Sequence, residues 1–231
     1  MTHTDFLSEL EADFEWRFAE VTTLKGAVGL ASPGDRDTLR KSLILVLYSH
    51  LEGFCVFALR HYVEAVNQAG VPCGDATPAI LAGAWEQLFN AVFHGDQKCD
   101  LFSRRFPNDE GLHSHWRRRH FVEEIRGFEA GAVRLDEDVI DAGSNLKPLV
   151  LQRNLFILGL DHSFVGPHAS TLSRLLGRRN SIAHGTERRG VPELEYEEYE
   201  RIARTICRDL TDLLETSHRN RVYRKTPLPA S

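Results

Sequence analysis

The stretch from Asp35 to Gln68, DRDTLRKSLILVLYSHLEGFCVFALRHYVEAVNQ, decides the fold. Its apolar residues recur at helical spacing. Leu39, Leu43, Val46, Leu47, Leu51, Phe54, Ala58, Tyr62 and Val66 share one face, and Leu45, Tyr48, Val56, Leu59 and Val63 fill much of the opposite one. A helix of about nine turns that is apolar nearly all round has to be packed by several neighbours, so it is expected at the centre of the molecule. Ser32-Pro33-Gly34-Asp35 starts it and Ala69-Gly70-Val71-Pro72 ends it. His50 and Glu52 interrupt the apolar run. A carboxylate in such a helix must be paired or hydrogen-bonded, so Glu52 is expected buried, bonded and near whatever chemistry the chain performs. The same interruption argues against a membrane span from Leu43 to Leu59.

Working outward, Leu7, Leu10, Phe14, Phe18, Val21, Leu24 and Val28 mark an amphipathic helix over Phe6 to Val28. One helix is expected from Pro78 to Phe93, one from Ser114 to Phe128, and a short one from Leu146 to Gly159. Another runs from Pro167 to His184 and is stopped by Gly185. A last one begins near Pro192 and turns Tyr199, Ile202, Ile206, Leu210 and Leu213 inward. With no strand pattern and no repeat, the reading is an all-α helical bundle. It is one domain over residues 1–218, with 95–143 as an elaboration on the core and 219–231 as a basic, flexible tail.

The 231 residues carry 28 basic and 33 acidic side chains, a net charge of −5. That weighs against a general nucleic-acid coat, which depends on neutralising many phosphates. The charge is segregated, however. Arg174, Arg178, Arg179, Arg188 and Arg189 crowd Leu172 to Gly190 against the single acid Glu187, and five glutamates follow between Val191 and Glu200. A local basic patch can steer an anion to one site although the total is negative. The four cysteines are dispersed with no C-x-x-C pair, which fits a reducing compartment. The opening MTHTDFLSELEADFEWRF is unlike a secretory signal, so the expected location is cytoplasmic. No phosphate-binding loop, dinucleotide fingerprint, zinc-protease motif or nucleophile elbow is present. No cofactor and no metal are expected.

The segment LLGRRNSIAHGTERRG, residues 175–190, contains Arg179 and His184 in an R-x-x-x-x-H pattern at the end of a helix. The carboxyl end of a helix favours positive charge, which suits a histidine that exchanges a proton near neutral pH. Five residues apart, the two side chains differ by about 140° around the axis. One helix alone cannot aim both at one atom. Spacing by itself also fits a surface arginine and a capping histidine with no catalytic role. His113, His115, Trp116 and His120 with the intervening arginines form either an RNA-contacting strip or a solvated helix face.

Three blocks taken together carry a resemblance. They are Leu47-Tyr48-Ser49-His50-Leu51-Glu52-Gly53-Phe54, Ser144-Asn145-Leu146, and Arg179-Asn180 with Ile182-Ala183-His184-Gly185. In order and spacing they resemble the HEPN superfamily, in particular its MAE-like subgroup, over about residues 10–216. The resemblance implies a dimerising helical bundle with R-x-x-x-x-H motifs meeting at the dimer cleft. It implies a metal-independent endoribonuclease of the toxin or antiphage type, with RNA as substrate and an antitoxin or defence-system protein as a possible partner. It assigns Arg179 and His184 as the catalytic pair, Asn180 as the accompanying polar residue and Glu52 as an orienting carboxylate. Arg174, Arg178, Arg188 and Arg189 are the candidate RNA contacts. Some relatives carry a modifiable Tyr two residues after the His; here that position is Thr186. The alternatives are a non-catalytic HEPN module binding RNA or a protein, and an antitoxin or scaffold subunit with an inert motif.

Overall fold

The computed structural model describes residues 1–143 and 145–225. Among them are eight α-helices: α1 (His3–Gly29), α2 (Pro33–Gln68), α3 (Pro78–Ala84), α4 (Glu86–Phe93), α5 (Glu110–Ala130), α6 (Pro148–Ile157), α7 (Ala169–Ala183) and α8 (Glu193–Arg219). Two isolated bridges, Pro72 with Ala132 and Ala76 with Arg224, are the only extended pairings among the described residues. The fold is all-α.

The central position expected of α2 is what the packing shows. α1, α7 and α8 pack round it. Leu43, Leu47, Leu51, Phe54, Ala58, Tyr62 and Val66 are buried from one predicted face, and Tyr48, Leu59 and Val63 from the other. Leu39, near the amino end, is exposed. α2 is long and apolar enough to cross a bilayer by composition, and here its neighbours cover it. His50 is buried and meets Glu20 of α1 at 3.1 Å.

α1 begins with a capping box. Thr2 Oγ1 accepts from the Asp5 backbone N–H, and the Thr2 N–H donates to the Asp5 carboxylate. The Thr2 hydroxyl, and then the Thr2 N–H, hold the Asp5 carboxyl below its usual range.

Three expectations are corrected. The helix read over Pro78 to Phe93 is broken at Trp85, where φ −103° and ψ 15° leave the helical region. α3 then packs on α6, while α4 turns onto α5. The histidine–arginine strip on α5 is not a uniform face. His113 is fully buried, its Nδ1 accepting from the Cys99 backbone N–H and its Nε2 2.9 Å from the Phe106 carbonyl oxygen. Arg117 is buried too, donating to the Gln97 carbonyl and to Glu110. Both hold the 95–109 loop on the helix, which leaves His115, Arg118, Arg119 and His120 exposed.

The tail is the third correction. α8 runs to Arg219, and the chain beyond it is docked as far as Lys225. Tyr223 is buried, with its ring 6.5 Å from that of Tyr62. Thr77 N–H donates to the Tyr223 carbonyl at 2.9 Å, and Lys225 N–H to the Asp75 carbonyl at 2.7 Å. One aromatic residue in a basic stretch is enough to pin it, because its ring leaves water while the charges stay outside. Residues 226–231 of the expected tail lie outside the described residues.

Candidate active site

α7 and the turn after it present the arginine and the histidine. α7 ends in a Schellman arrangement. The Gly185 N–H donates to the Ile182 carbonyl and the Thr186 N–H to the Ser181 carbonyl, both at 3.0 Å. Gly185 takes φ 69°, a left-handed conformation that a glycine adopts without steric cost. His184 is therefore the capping residue, and its side chain is exposed.

Arg179, one turn earlier, points the other way, onto α2. Its guanidinium carbon sits 5.0 Å from the centre of the Tyr48 ring. Its Nη1 donates to Asn180 Oδ1 at 2.9 Å and to Asn145 Oδ1 at 3.3 Å. Behind this clasp lies Glu52. One carboxylate oxygen, Oε1, accepts from Tyr48 Oη at 3.1 Å and from the Leu146 backbone N–H at 2.9 Å. Tyr48 and Glu52 are four apart on α2 and so share a face.

Glu52 is bonded as expected but half-buried rather than buried, and it reaches Arg179 through Tyr48 and the Asn145–Leu146 segment rather than directly. Burial, and then the Glu52 charge, push the Tyr48 phenol well above its ordinary range, so it stays a hydrogen-bond donor; Arg179 offsets part of this.

The three sequence blocks therefore meet at one place. Ser144, which opens the second block, lies outside the described residues. Tyr48 and Asn145 lay in the quoted blocks without an assigned role. The i, i+4 relation of Tyr48 to Glu52 was the available signal for Tyr48; nothing in the spacing pointed Asn145 at Arg179.

The arginines proposed to touch RNA divide into two sets. Arg174 pairs with Glu198, and Arg178 with Glu187 and Glu195. Arg178 also donates to the Gly190 carbonyl at 3.0 Å. The acidic start of α8 thus neutralises the basic face of α7, and Arg178, through Glu187 and the Gly190 carbonyl, holds the 185–192 loop rather than standing open to a phosphate. Arg188 and Arg189 are exposed. The Arg189 backbone N–H and the Arg178 guanidinium keep the Glu187 carboxyl below its usual range. Thr186 is exposed, with its hydroxyl donating to the Ser181 carbonyl at 3.1 Å.

Chemically, the site offers a held, partly exposed guanidinium and an exposed imidazole at opposite sides of a helix end. Arg179 can present a planar fork to phosphate oxygens, and a histidine can take or give a proton. Among the described residues, no three His, Cys, Asp or Glu side chains converge as a metal-ligand set.

A family model for MAE-like HEPN domains matches residues 6–223, nearly the whole chain. No curated protein and no solved structure matches.

Proposed function

The chain belongs to the MAE-like HEPN family, and we propose that it is a metal-independent endoribonuclease whose active site is completed by a second copy of the chain. The observation that carries this reading is the clasp on Arg179. Tyr48, Asn145 and Asn180 hold one guanidinium at a partly exposed position, beside a helix end that presents His184 to solvent. Surface arginines without a role are seldom held from three sides, because fixing so long a side chain costs conformational entropy.

In the proposed reaction, a 2′-hydroxyl of the RNA attacks the adjacent phosphorus, already in place as an intramolecular nucleophile. The new P–O bond closes a 2′,3′-cyclic phosphate, and the bond to the 5′-oxygen breaks. One histidine takes the 2′ proton and another supplies a proton to the leaving oxygen. Arg179 offsets the charge that builds on the non-bridging oxygens. A single chain offers one His184 and aims it away from Arg179. Two chains about a two-fold axis supply two of each to one cleft. Glu52, Tyr48, Asn145 and Asn180 act as positioning residues. Arg188 and Arg189 are the cations available to flanking phosphates. The biological setting proposed is a cytoplasmic toxin or antiphage effector, restrained by a partner protein.

The test is purified protein incubated with mixed tRNA and mRNA, with and without excess EDTA, beside His184→Ala. The expected result is cleavage that survives EDTA, leaves cyclic phosphate ends, spares 2′-deoxy positions and vanishes in the variant. Abolition by EDTA with rescue by magnesium would overturn the mechanism. Binding without cleavage by the wild type would favour the non-catalytic module.

A further inference from the structure

A second site stands at the far end of the bundle. The amino end of α1 and the carboxyl ends of α2 and α8 meet there around a cavity of about 520 Å³. Gln68, on its rim, lies about 24 Å along α2 from Glu52 at 1.5 Å per residue, so this is not the Arg179 site. The volume falls within the range of roughly 300–1,000 Å³ usual for small-molecule sites.

Its charge is one-sided. Among the described residues, Arg219, Arg221, Arg224, His3 and His218 line it, and no carboxylate does. The neighbouring Glu215 pairs with His3 at 2.9 Å and with Arg219 at 3.4 Å. The Arg221 and Arg224 guanidiniums make no hydrogen bond or ion pair with a described residue. Cations after a helix often do no more than complement its dipole. That accounts for His218 and Arg219, which lie in the last turn of α8, but Arg221 and Arg224 lie beyond it.

Further observations single out the same place. His3 Nδ1, His218 Nδ1 and Arg224 Nε are buried without a hydrogen-bond partner among the described residues, three such atoms in residues around one cavity. Buried polar atoms are nearly always satisfied, so a cluster without protein partners is a place where a bound polar group gains hydrogen bonds. Arg221 adopts φ 51°, an uncommon conformation for a residue with a side chain. Burial, followed by the nearby His3 and other cations including Arg221, hold the His218 imidazole below its ordinary value, which reports a positive local potential.

We propose that this cavity binds a small anion bearing two or more phosphoryl groups, held by Arg219, Arg221 and Arg224 with His3 and His218. A carboxylate would need one planar fork. Three guanidiniums and two imidazoles around a space several times larger than one phosphate match the many oxygens of a di- or triphosphate. Inorganic pyrophosphate and a nucleoside polyphosphate share that chemistry, and the experiment separates them.

Calorimetry on the full chain would use pyrophosphate, ATP, adenosine and a 5′-hydroxyl RNA hexamer as probes. Pyrophosphate and ATP are expected to bind and adenosine is not. Tighter binding of ATP would identify a nucleotide site; equal affinity would identify a polyphosphate site. Arg221→Gly suits the left-handed backbone, so it removes the cation without strain. It should weaken binding at least about tenfold, one guanidinium–phosphate contact, while the melting temperature holds or rises. Arg224→Gln should weaken it similarly, and RNA cleavage by both variants should be unchanged. Wild-type affinity in both variants, binding of RNA alone, or no binding of pyrophosphate or ATP would each overturn the proposal. RNA binding reports on the Arg179–His184 site, whereas polyphosphate binding that is lost in Arg221→Gly and Arg224→Gln reports on this cavity, so the two readings fail separately.

Discussion

Replacing Glu52 with alanine measures how much the clasp depends on one oxygen atom. Tyr48 Oη and the Leu146 N–H both donate to Glu52 Oε1, and both donor residues are buried. Alanine leaves two donors without an acceptor. Each costs about 1–3 kcal/mol when water cannot replace the partner. Because Glu52 is half-buried, water can reach part of the gap, and a combined loss of about 2–4 kcal/mol is expected. In a chain of this length that lowers the melting temperature by roughly 5–15 °C. Glu52→Gln separates charge from connectivity. Its carbonyl oxygen can occupy the Oε1 position and accept both bonds, so only the charge assistance goes, about 1 kcal/mol. Urea denaturation followed by circular dichroism gives both values. If cleavage is observed, Glu52→Ala should lower kcat far more than it raises KM, since Arg179 loses its backing rather than its charge. A Glu52→Ala protein within 1 kcal/mol of wild type, or a Gln variant as unstable as the Ala variant, would refute the reasoning.

Arg179→Lys should reduce cleavage at least about tenfold with unchanged circular dichroism, because an ammonium cannot fork between Asn145 and Asn180 while facing a phosphate; wild-type rates would remove Arg179 from the site. Adding excess His184→Ala protein should lower the activity per wild-type chain, since a mixed dimer holds only one of the two histidines that the reaction uses; unchanged activity per wild-type chain, in dimers shown to have exchanged by co-purification with a tagged copy, would argue against a composite site. Gly190→Ala should cost about 1–3 kcal/mol, because its Cβ would stand 2.5 Å from Asp37 Cβ and 2.9 Å from the Asp37 carbonyl carbon, where the Val191 N–H bonds the Asp37 carbonyl oxygen at 2.8 Å; urea denaturation measures it. All four cysteines are buried, and burial pushes the Cys55 thiol up to about 12. Alkylation of the native protein at about pH 8 should therefore label almost none of them, and labelling should be complete in denaturant.

The sequence alone determined the helical elements apart from the break at Trp85, the central place of α2, and the end of α7 at His184 and Gly185. These are local matters: a period of 3.6, a proline at a start, a glycine at a stop. It also carried the family, because the three blocks keep their order whatever packs between them. Only the tertiary structure decided which side chains are spent and which are open. Arg174 and Arg178 read as free cations until the acidic face of α8 is laid against α7. His113 and Arg117 read as part of a basic strip until the 95–109 loop folds over them. Asn145 meets Arg179 across 34 residues, and Glu52 meets the Leu146 N–H across 94. Spacing along a chain reports which residues share a face of one helix. It holds no information on the crossing angle that brings a second helix to that face, and the clasp on Arg179 exists only because α2, α7 and the start of α6 cross at one point.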